Sequence, residues 1–467
     1  MMKSYLSVLV VLVLIVSALP RDLEGNDLDL VMVIENIRHG IRAPLKVKYD
    51  PDWADQLGEL LPQGYRQAYV LGKAMAEAYP SLIKNYSTSS MYIRATQLNR
   101  TIQSAVAHMA GMLGFGVGPN LTNEQIDLAL PPYPISDDLT KNLTNNALPF
   151  NWQPLPVHSV NLQNDYLMYS YNSIICPNSD HFQDAQYSAP NYAQFTNAMN
   201  STIQNFNNIT GKYFDFSNIT SAFNTLVTDY LVNKPFPSAY KNIIPLSEIW
   251  NNLTFIHDFI EFYKNFGSSQ QVQLFSYYPL SQFLQWLNGF VTNTNRNLKY
   301  ILLSGSDTFL MPILSALGIA SHSCLYDNFF NISNNQYCQY PDYSASLNFE
   351  LYQNTTTNTF YVQIVYNGVP FPYCDSQSTL CEFSTFAEKI NDAIGDMTLQ
   401  KYLDICGVQS VIIEDKEIFW HTMGYVFGGF SLLFAVGIVV VLYHKKKESV
   451  IIQRKMYLFS SITEMVK

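Results

Sequence analysis

The pattern of apolar and polar positions predicts a chain in which strands and helices alternate. Residues 29–37 form a short, β-branched and mostly apolar run, which is typical of a buried strand. Residues 61–79 and 95–113 carry apolar side chains at spacings of three and four, as amphipathic helices do. A second strand is predicted at 299–303, followed by a helix at 309–317. This repeated order predicts an α/β fold with a three-layer α/β/α core.

The central part of the chain has a different composition. Between residues 120 and 290, Asn, Tyr, Phe and Ser are frequent, and we expect a mainly helical cap domain inserted into the core. After it, residues 346–353 and 359–366 alternate apolar and polar side chains in the manner of two paired strands. The core is therefore expected to resume after the insertion.

The two ends of the chain predict export and a membrane anchor. The apolar run 6–19, with Val-Ser-Ala at 16–18 as a cleavage site, is typical of a signal peptide spanning residues 1–18. Residues 418–443 contain no Asp, Glu, Lys or Arg and are followed by a basic tail, 444–467, as on the cytoplasmic side of a membrane span. The alternative for either run is a buried core helix. We expect a single-pass type I protein with residues 19–417 outside the cytosol.

Composition and charge narrow the classes of function. With 467 residues, 48% of them hydrophobic and 14% charged, the chain can bury a sizeable core. Its net charge of −10 offers no basic field for a phosphate backbone, which argues against nucleic acid as a partner. Six cysteines, none in a Cys-x-x-Cys pair, favour disulfides over a metal site. The Asn-x-Ser/Thr sequons, which suit a secreted chain, are Asn85, Asn99, Asn120, Asn142, Asn200, Asn208, Asn218, Asn252, Asn331 and Asn354.

The most informative residues are 38–44, Arg-His-Gly-Ile-Arg-Ala-Pro, directly after the first predicted strand. Loops that leave strand ends in α/β sheets are where ligands bind. The guanidinium groups of Arg38 and Arg42 match phosphate oxygens. As cations close to His39, they should also lower its pKa and keep the imidazole neutral in acid. The alternative, a basic surface loop, does not account for a position directly after a buried strand.

This motif resembles the signature Arg-His-Gly-x-Arg-x-Pro of the histidine acid phosphatases, in branch two of the histidine phosphatase superfamily. The resemblance extends to Pro-Gln-Gly-Tyr-Arg-Gln at 62–67, to Tyr-Ile-Arg-Ala-Thr at 92–96 with Arg-Thr at 100–101, and to Trp-Gln-Pro-Leu-Pro-Val-His at 152–158. Residues 302–308, Leu-Leu-Ser-Gly-Ser-Asp-Thr, are similar to a family segment that ends in His-Asp-Thr. Ser306 stands in the place of that histidine.

The resemblance implies an acid phosphatase that hydrolyses phosphate monoesters without a cofactor or a metal. His39 would be the nucleophile that forms a phosphohistidine, and Asp307 would protonate the leaving group. The phosphate-binding residues would be Arg38, Arg42, Arg94 and, weakly, Ser306. Because Ser306 replaces a histidine, a second hypothesis stays open: a pseudophosphatase that serves as a surface or vesicle glycoprotein receptor.

Several other polar residues are weaker candidates. His108 lies on the apolar face of a predicted helix and is expected in the core. For His158 the sequence favours neither a place in the lining of the pocket nor a structural one. His257 and Asp258 form the only His-Asp pair of the chain, but they lie in a helical pattern within the cap. We therefore expect that pair not to serve the site.

The resemblance also implies disulfides and a location. The pairs Cys176–Cys406 and Cys374–Cys381 are similar to family pairs, which leaves Cys324–Cys338, although the residues alone permit other pairings. The similarity to lysosomal and prostatic members implies a lysosomal, vacuolar or cell-surface location. It leaves open whether the protein is a monomer or a homodimer.

Overall fold

A computed structural model describes residues 27–408 except 85, 86, 88 and 135. The predicted signal peptide at 1–18, the predicted membrane span at 418–443 and the tail at 444–467 lie outside the described residues. Among the helices within them, none is both long and apolar enough to cross a membrane.

A mixed sheet of eight strands forms the centre of the fold. The strands are β1 Leu28–Arg38, β2 Met91–Ala95, β3 Val157–His158, β4 Tyr300–Gly305, β5 Ser346–Asn354, β6 Phe360–Tyr366, β7 Val369–Phe371 and β8 Leu380–Glu382. They are ordered β3-β2-β4-β1-β5-β6-β7, and β8 pairs with β6. The first four strands in this order are parallel, whereas β5, β6, β7 and β8 join as antiparallel strands.

The described helices occur between and after these strands. They are α1 Pro62–Ala78, α2 Pro80–Lys84, α3 Asn99–Leu113, α4 Asn123–Leu128, α5 Ser179–Tyr187, α6 Pro190–Thr210, α7 Ile219–Leu231, α8 Glu248–Phe266, α9 Ser269–Val291, α10 Asp307–Ala316, α11 His322–Phe329, α12 Phe383–Ile394 and α13 Leu399–Ile405. The last of them, α13, belongs to a separate compact unit that begins at Leu399.

Helices cover both faces of the sheet. Side chains alternate between the faces along a strand, so Val33 of β1 shares an apolar cluster with Met75 of α1 on one side. On the other side, the ring of Phe349 in β5 packs on Phe283 of α9 and on Phe386 of α12, with centroid separations of 5.2 and 6.2 Å. The mixed α/β fold predicted from the sequence is confirmed.

The predicted elements agree with the observed ones apart from one boundary. β1, α1, β4, α10, β5 and β6 lie within two residues of the predicted bounds. The helix predicted at 95–113 begins at Asn99 instead, because Ala95 is the last residue of β2 and pairs with Ser304 of β4. Strand pairing therefore takes precedence over helix propensity at this residue.

Within its described residues, the segment expected to be a helical cap contains six α-helices, α4 to α9, and the two-residue strand β3. Three of these helices, α6, α7 and α8, share a cluster of buried aromatic and aliphatic side chains. In this cluster Phe195 of α6 stacks on Phe259 of α8 with ring centroids 4.0 Å apart. The wealth of Phe and Tyr in this segment thus serves its internal packing.

The cysteines form disulfides. Cys324 in α11 is bonded to Cys338, and Cys374 is bonded to Cys381 in β8, with Cα separations of 6.2 and 5.5 Å. Both pairs agree with the expected connectivity. Cys176 is disulfide-bonded as well.

Candidate active site

Three parallel strands end at one edge of the sheet and bring the predicted nucleophile and acid together. β1 ends at Arg38, β2 at Ala95 and β4, between them, at Gly305. His39 follows β1 directly, and its backbone N–H donates to the carbonyl oxygen of Gly305 at 3.0 Å. Asp307 is the first residue of α10, two residues after β4. The site therefore lies at the carboxyl edge of the parallel strands, as ligand sites in such sheets do.

His39 is a buried imidazole whose orientation is set by its own loop. Its Nδ1 lies 2.8 Å from the carbonyl oxygen of Gly40, an acceptor, so Nδ1 carries the proton. Nε2 keeps the lone pair, and Arg100 Nε lies 3.2 Å from it. Burial, followed by the charges of Arg100, Arg38 and Arg42, lowers the pKa of His39 well below its ordinary value. His39 is therefore a neutral imidazole with a nucleophilic Nε2.

Arg38 is held by the loop that precedes β5. Its Nη1 donates to the carbonyl oxygen of Pro341 at 2.8 Å, and its guanidinium lies 4.2 Å from the ring centroid of Tyr343. Nη2 forms an ion pair with Asp307 Oδ2 at 2.8 Å. These contacts hold a buried cation close to His39.

Asp307 accepts hydrogen bonds on both oxygens. Oδ2 accepts from Arg38 Nη2 and, at 2.9 Å, from the hydroxyl of Tyr340, while Oδ1 accepts from the backbone N–H of Thr308 at 2.8 Å. Burial alone would raise the pKa of Asp307, but Arg38 and then His39 oppose it and hold the pKa below its ordinary value. In the ligand-free protein Asp307 is thus a carboxylate.

Ser306, which the resemblance aligns with a family histidine, belongs to a group of hydroxyls. Its Oγ lies 2.6 Å from Thr308 Oγ1. The side chain of Tyr171 forms hydrogen bonds with Ser306 and Thr308, and burial raises the pKa of Tyr171. The donors on this side of the site are therefore neutral hydroxyls, where an imidazole was expected from the resemblance.

Arg94, the expected third phosphate-binding arginine, and Arg100 have different partners in the structure. Arg94 Nη2 forms a buried ion pair with Asp165 Oδ1 at 2.5 Å, whereas Arg100 Nε contacts His39 Nε2. Arg94 lies within β2, while Arg100 lies in the first turn of α3, which extends beyond the strand ends. The sequence carried a signal for this, since ligands of parallel sheets are contacted from loops and first helical turns after the strands.

The two isolated histidines lie outside the catalytic group. His108 Nε2 lies 3.2 Å from Glu35 Oε2, and both side chains have no exposed surface, so His108 is a core residue as expected. His158 is exposed and stacks on Tyr92 with ring centroids 5.3 Å apart.

His257 and Asp258 lie on α8, and Tyr340 connects His257 to Asp307. His257 Nδ1 and Asp258 Oδ1 are 2.8 Å apart. The His257 ring contacts the edge of Tyr340, with centroids 5.3 Å apart, and Tyr340 in turn donates to Asp307. The pair therefore contacts a neighbour of Asp307, which its helical pattern did not predict.

Two glycines allow the loop after β1 to lie directly against α1. A Cβ at Gly40 would be 2.3 Å from the carbonyl oxygen of Gly64, and a Cβ at Gly64 would be 2.3 Å from that of Ile41. Such distances are far inside van der Waals contact, and backbone atoms on both sides cannot yield as a flexible side chain would. The backbone N–H of Gly40 also donates to Ser104 Oγ of α3 at 3.1 Å.

We expect Gly64→Ala to separate the loop from α1. Overpacking of this kind costs about 1–3 kcal/mol of folding free energy, and the displaced His39 should lower turnover as well. Urea unfolding and phosphatase assays of the same preparation measure both effects. Gly289→Ala in α9 is the matched control, because its Cβ would find its nearest neighbour at 3.5 Å. Equal stability and turnover in Gly64→Ala and wild type would contradict the prediction.

The sequence model of the histidine phosphatase superfamily (branch 2) matches residues 45–367. The chain belongs to this superfamily. This confirms the resemblance drawn from the motifs.

Curated relatives are acid phosphatases. The chain is 23% identical to the lysosomal acid phosphatase of Xenopus laevis over 92% of this chain and 89% of that one. It is 26% identical to the lysosomal acid phosphatase of Rattus norvegicus over 76% of each. Shorter matches span about a third of the relative, among them 30% identity to the prostatic acid phosphatase of Bos taurus over 36% of its length.

Solved structures share the fold. The apo form of Hafnia alvei phytase superimposes with a TM-score of 0.55 at 16% identity, over 79% of this chain and 98% of that one. The phytase of D. castellii gives a TM-score of 0.52 at 16% identity, over 82% of each. At this identity the likeness shows the fold alone.

Proposed function

We propose that the protein is an acid phosphatase that hydrolyses phosphate monoesters through a phosphohistidine on His39. The observation that carries the proposal is the buried, neutral His39, with Nδ1 oriented by Gly40 and Nε2 next to Arg100. The charges of Arg100, Arg38 and Arg42 act on this buried imidazole. It suits attack on an anionic phosphorus, where the cations bind the oxygens and the imidazole supplies the electron pair.

In the first step, Nε2 of His39 bonds to phosphorus while the bond from phosphorus to the ester oxygen breaks. The leaving oxygen takes a proton from Asp307, which acts as the general acid. In the second step, water attacks the phosphohistidine, Asp307 accepts a proton from that water, and His39 leaves as a neutral imidazole. The protons and electron pairs balance without a metal or a cofactor.

Three arginines would neutralise the phosphoryl oxygens. Arg38 and Arg100 lie next to His39, and Arg42 lies close enough for its charge to lower the pKa of His39. Arg100 takes the part that the sequence assigned to Arg94. Asp307 forms an ion pair with Arg38 in the ligand-free protein. Bound phosphate would therefore compete with Asp307 for the Arg38 guanidinium. Ser306 and Tyr171 would add hydroxyl donors at the leaving-group side.

We expect phosphatase activity to be highest at acidic pH and to fall as the pH rises. Only protonated Asp307 can act as an acid, and its lowered pKa means that this form declines as pH rises, so kcat/KM should fall from acid towards neutral pH. Bound phosphate dianion raises the pKa of a neighbouring carboxyl, so kcat should fall at a higher pH than kcat/KM. His39 stays neutral in weak acid because its pKa is lowered.

The test is hydrolysis of p-nitrophenyl phosphate by the full chain in EDTA, from about pH 3 to about pH 8, with trapping of the phosphoenzyme. A phosphohistidine is labile in acid and stable in alkali, which distinguishes it from a phosphoserine at Ser304 or Ser306. Turnover that peaks in acid with such an intermediate supports the proposal. Phosphate binding without turnover would support the receptor hypothesis, for which Ser306 is the motivating residue. A chain that shows neither turnover nor phosphate binding would contradict both the phosphatase proposal and the receptor hypothesis.

The compartment is part of the proposal. The predicted signal peptide at 1–18, the predicted span at 418–443 and the lysosomal relatives together favour a single-pass type I protein with its site in a lysosome, a vacuole or at the cell surface. Residues 120–290 would form the cap over the site and supply substrate contacts such as Tyr171. Protease protection of the 444–467 tail in sealed vesicles tests the topology.

A further inference from the structure

We propose that Tyr340 is a positioning residue for Asp307, held in place by His257 and Phe262 of the cap helix α8. The proposal rests on the acid phosphatase function proposed above and goes beyond it by assigning a role to residues outside the reacting group. Its basis is a continuous set of contacts from α8 to the carboxylate of Asp307.

The first contact is the hydrogen bond from the Tyr340 hydroxyl to Asp307 Oδ2 at 2.9 Å. Tyr340 is 6% exposed, and burial together with the Asp307 charge raises the pKa of Tyr340 well above its ordinary value. The hydroxyl therefore keeps its proton and donates throughout the working pH range. The Arg38 guanidinium lies 5.5 Å from the centroid of the Tyr340 ring, so the tyrosine contacts both members of the Arg38–Asp307 pair.

The second set of contacts fixes the ring itself. The rings of His257 and Phe262 both meet Tyr340 nearly at right angles, with centroids 5.3 and 6.0 Å away. His257 is in turn hydrogen-bonded to Asp258 at 2.8 Å. Edge-to-face contacts and a hydrogen bond define one orientation of a buried side chain. The cap helix thus sets where the Tyr340 hydroxyl lies.

This arrangement matters most when the leaving group is a poor one. An aryl oxide such as p-nitrophenolate departs without help, whereas an alkyl oxide must receive a proton, and a positioned acid contributes typically ~10²–10⁴-fold to such steps. Ser306 provides no imidazole beside Asp307, and Tyr340 is the neutral side chain that contacts the carboxylate. A carboxyl free to rotate would present its proton less often to the leaving oxygen.

The charges around the acid also predict a shift in pH dependence. Loss of one donor to the ionised form raises the pKa of a carboxyl, so removal of the Tyr340 hydroxyl should raise that of Asp307. The other charged or titratable groups that act on Asp307 stay in place. They are Arg38, His39, Arg42, Arg100, Tyr171 and Lys264. Glu261 and Asp258 act on Tyr340 from α8.

The test compares Tyr340→Phe with wild type on p-nitrophenyl phosphate and on an alkyl phosphate, glycerol 2-phosphate. We expect kcat to fall ~10- to 100-fold on the alkyl ester and less than ~3-fold on the aryl ester. The alkaline limb of kcat/KM should move to higher pH. The affinity for inorganic phosphate, measured by calorimetry across the same pH range, should show its transition displaced in the same direction, because that binding senses the charge of Asp307.

The matched control is Tyr366→Phe. Tyr366 donates its hydroxyl to the carbonyl oxygen of Gln339 at 3.1 Å, so the variant loses a hydrogen bond to the same loop without touching Asp307. It should show neither the leaving-group dependence nor the pH shift. For the cap helix, His257→Ala should reproduce part of the Tyr340→Phe effect, and the double variant should lose no more than Tyr340→Phe alone, because the two residues act through one contact.

The outcomes separate the two proposals. Equal losses on both esters with unshifted pH profiles, in a folded Tyr340→Phe chain, would overturn the positioning role and leave the phosphatase function intact. Additive losses in the double variant would overturn the part assigned to α8. A wild-type chain without turnover would reject the phosphatase function, and the positioning role would fall with it.

Discussion

Replacing His39 with alanine is expected to lower kcat on p-nitrophenyl phosphate by on the order of 10⁴-fold or more, as loss of a nucleophile does in other covalent enzymes. The reason is that alanine has no ring nitrogen with which to form the phosphohistidine beside Arg38 and Arg100. Inorganic phosphate should still bind, because the arginines remain. Steady-state assays and calorimetry on the full chain measure the two properties separately.

His158→Ala is the matched control for that variant. His158 is exposed at the end of β3 and stacks on Tyr92, outside the buried group of arginines. Its loss should change kcat less than ~3-fold, since surface substitutions away from a site have small effects. Residual turnover of His39→Ala above about a hundredth of the wild-type rate would contradict the phosphohistidine mechanism.

Substitution of Arg100 is expected to give the second large effect. Comparison with substitution of Arg94 separates a loss of catalysis from a loss of stability. Arg100→Ala should lower kcat/KM by ~10²–10³-fold, the typical loss when one preorganised donor to a developing charge is removed. The fold should stay intact, because Arg100 is partly exposed and its pKa is lowered by burial and by the charge of Arg42. Its removal thus relieves repulsion between two cations.

Arg94→Ala should lower the stability of the fold and leave catalysis largely unchanged. Asp165 has no exposed surface, and its carboxylate relies on Arg94 and on the backbone N–H of Met168. Removing one partner of a buried ion pair costs about 3–5 kcal/mol, so this variant should unfold at lower urea concentration. Once folded, it should retain most of its kcat. An Arg94 variant that is stable but inactive would restore Arg94 to the phosphate site and contradict the placement of Arg100.

The contrast between these arginines shows what local sequence could not supply. Arg94 and Arg100 lie six positions apart in one motif-like stretch, and both suit a phosphate ligand by chemistry. Only the parallel pairing of β2 with β4 shows that Arg94 lies before the strand end and Arg100 after it. The two arginines differ in their depth along the sheet, which residue type does not encode.

The tyrosine network is a second case. Nothing in the sequence connects residue 340 to residues 257 and 307, because the three lie on separate elements and none forms a local motif with another. Their contact depends on how α8 packs against the loop before β5. Long-range contacts of this kind arise from tertiary packing, where shape and burial select partners that composition leaves equivalent.

The sequence by itself predicted the α/β order of elements and the place of His39 after the first strand, while the joint role of His39 and Asp307 came from the resemblance to the histidine acid phosphatases. The order of elements follows from local rules, because side-chain periodicity defines strands and helices, and a loop after a buried strand is where parallel sheets bind ligands. The tertiary structure alone decided which arginine contacts His39, which donors hold Asp307 and where the His257–Asp258 pair lies. These depend on distances between residues far apart in the chain, and only the packed fold fixes such distances.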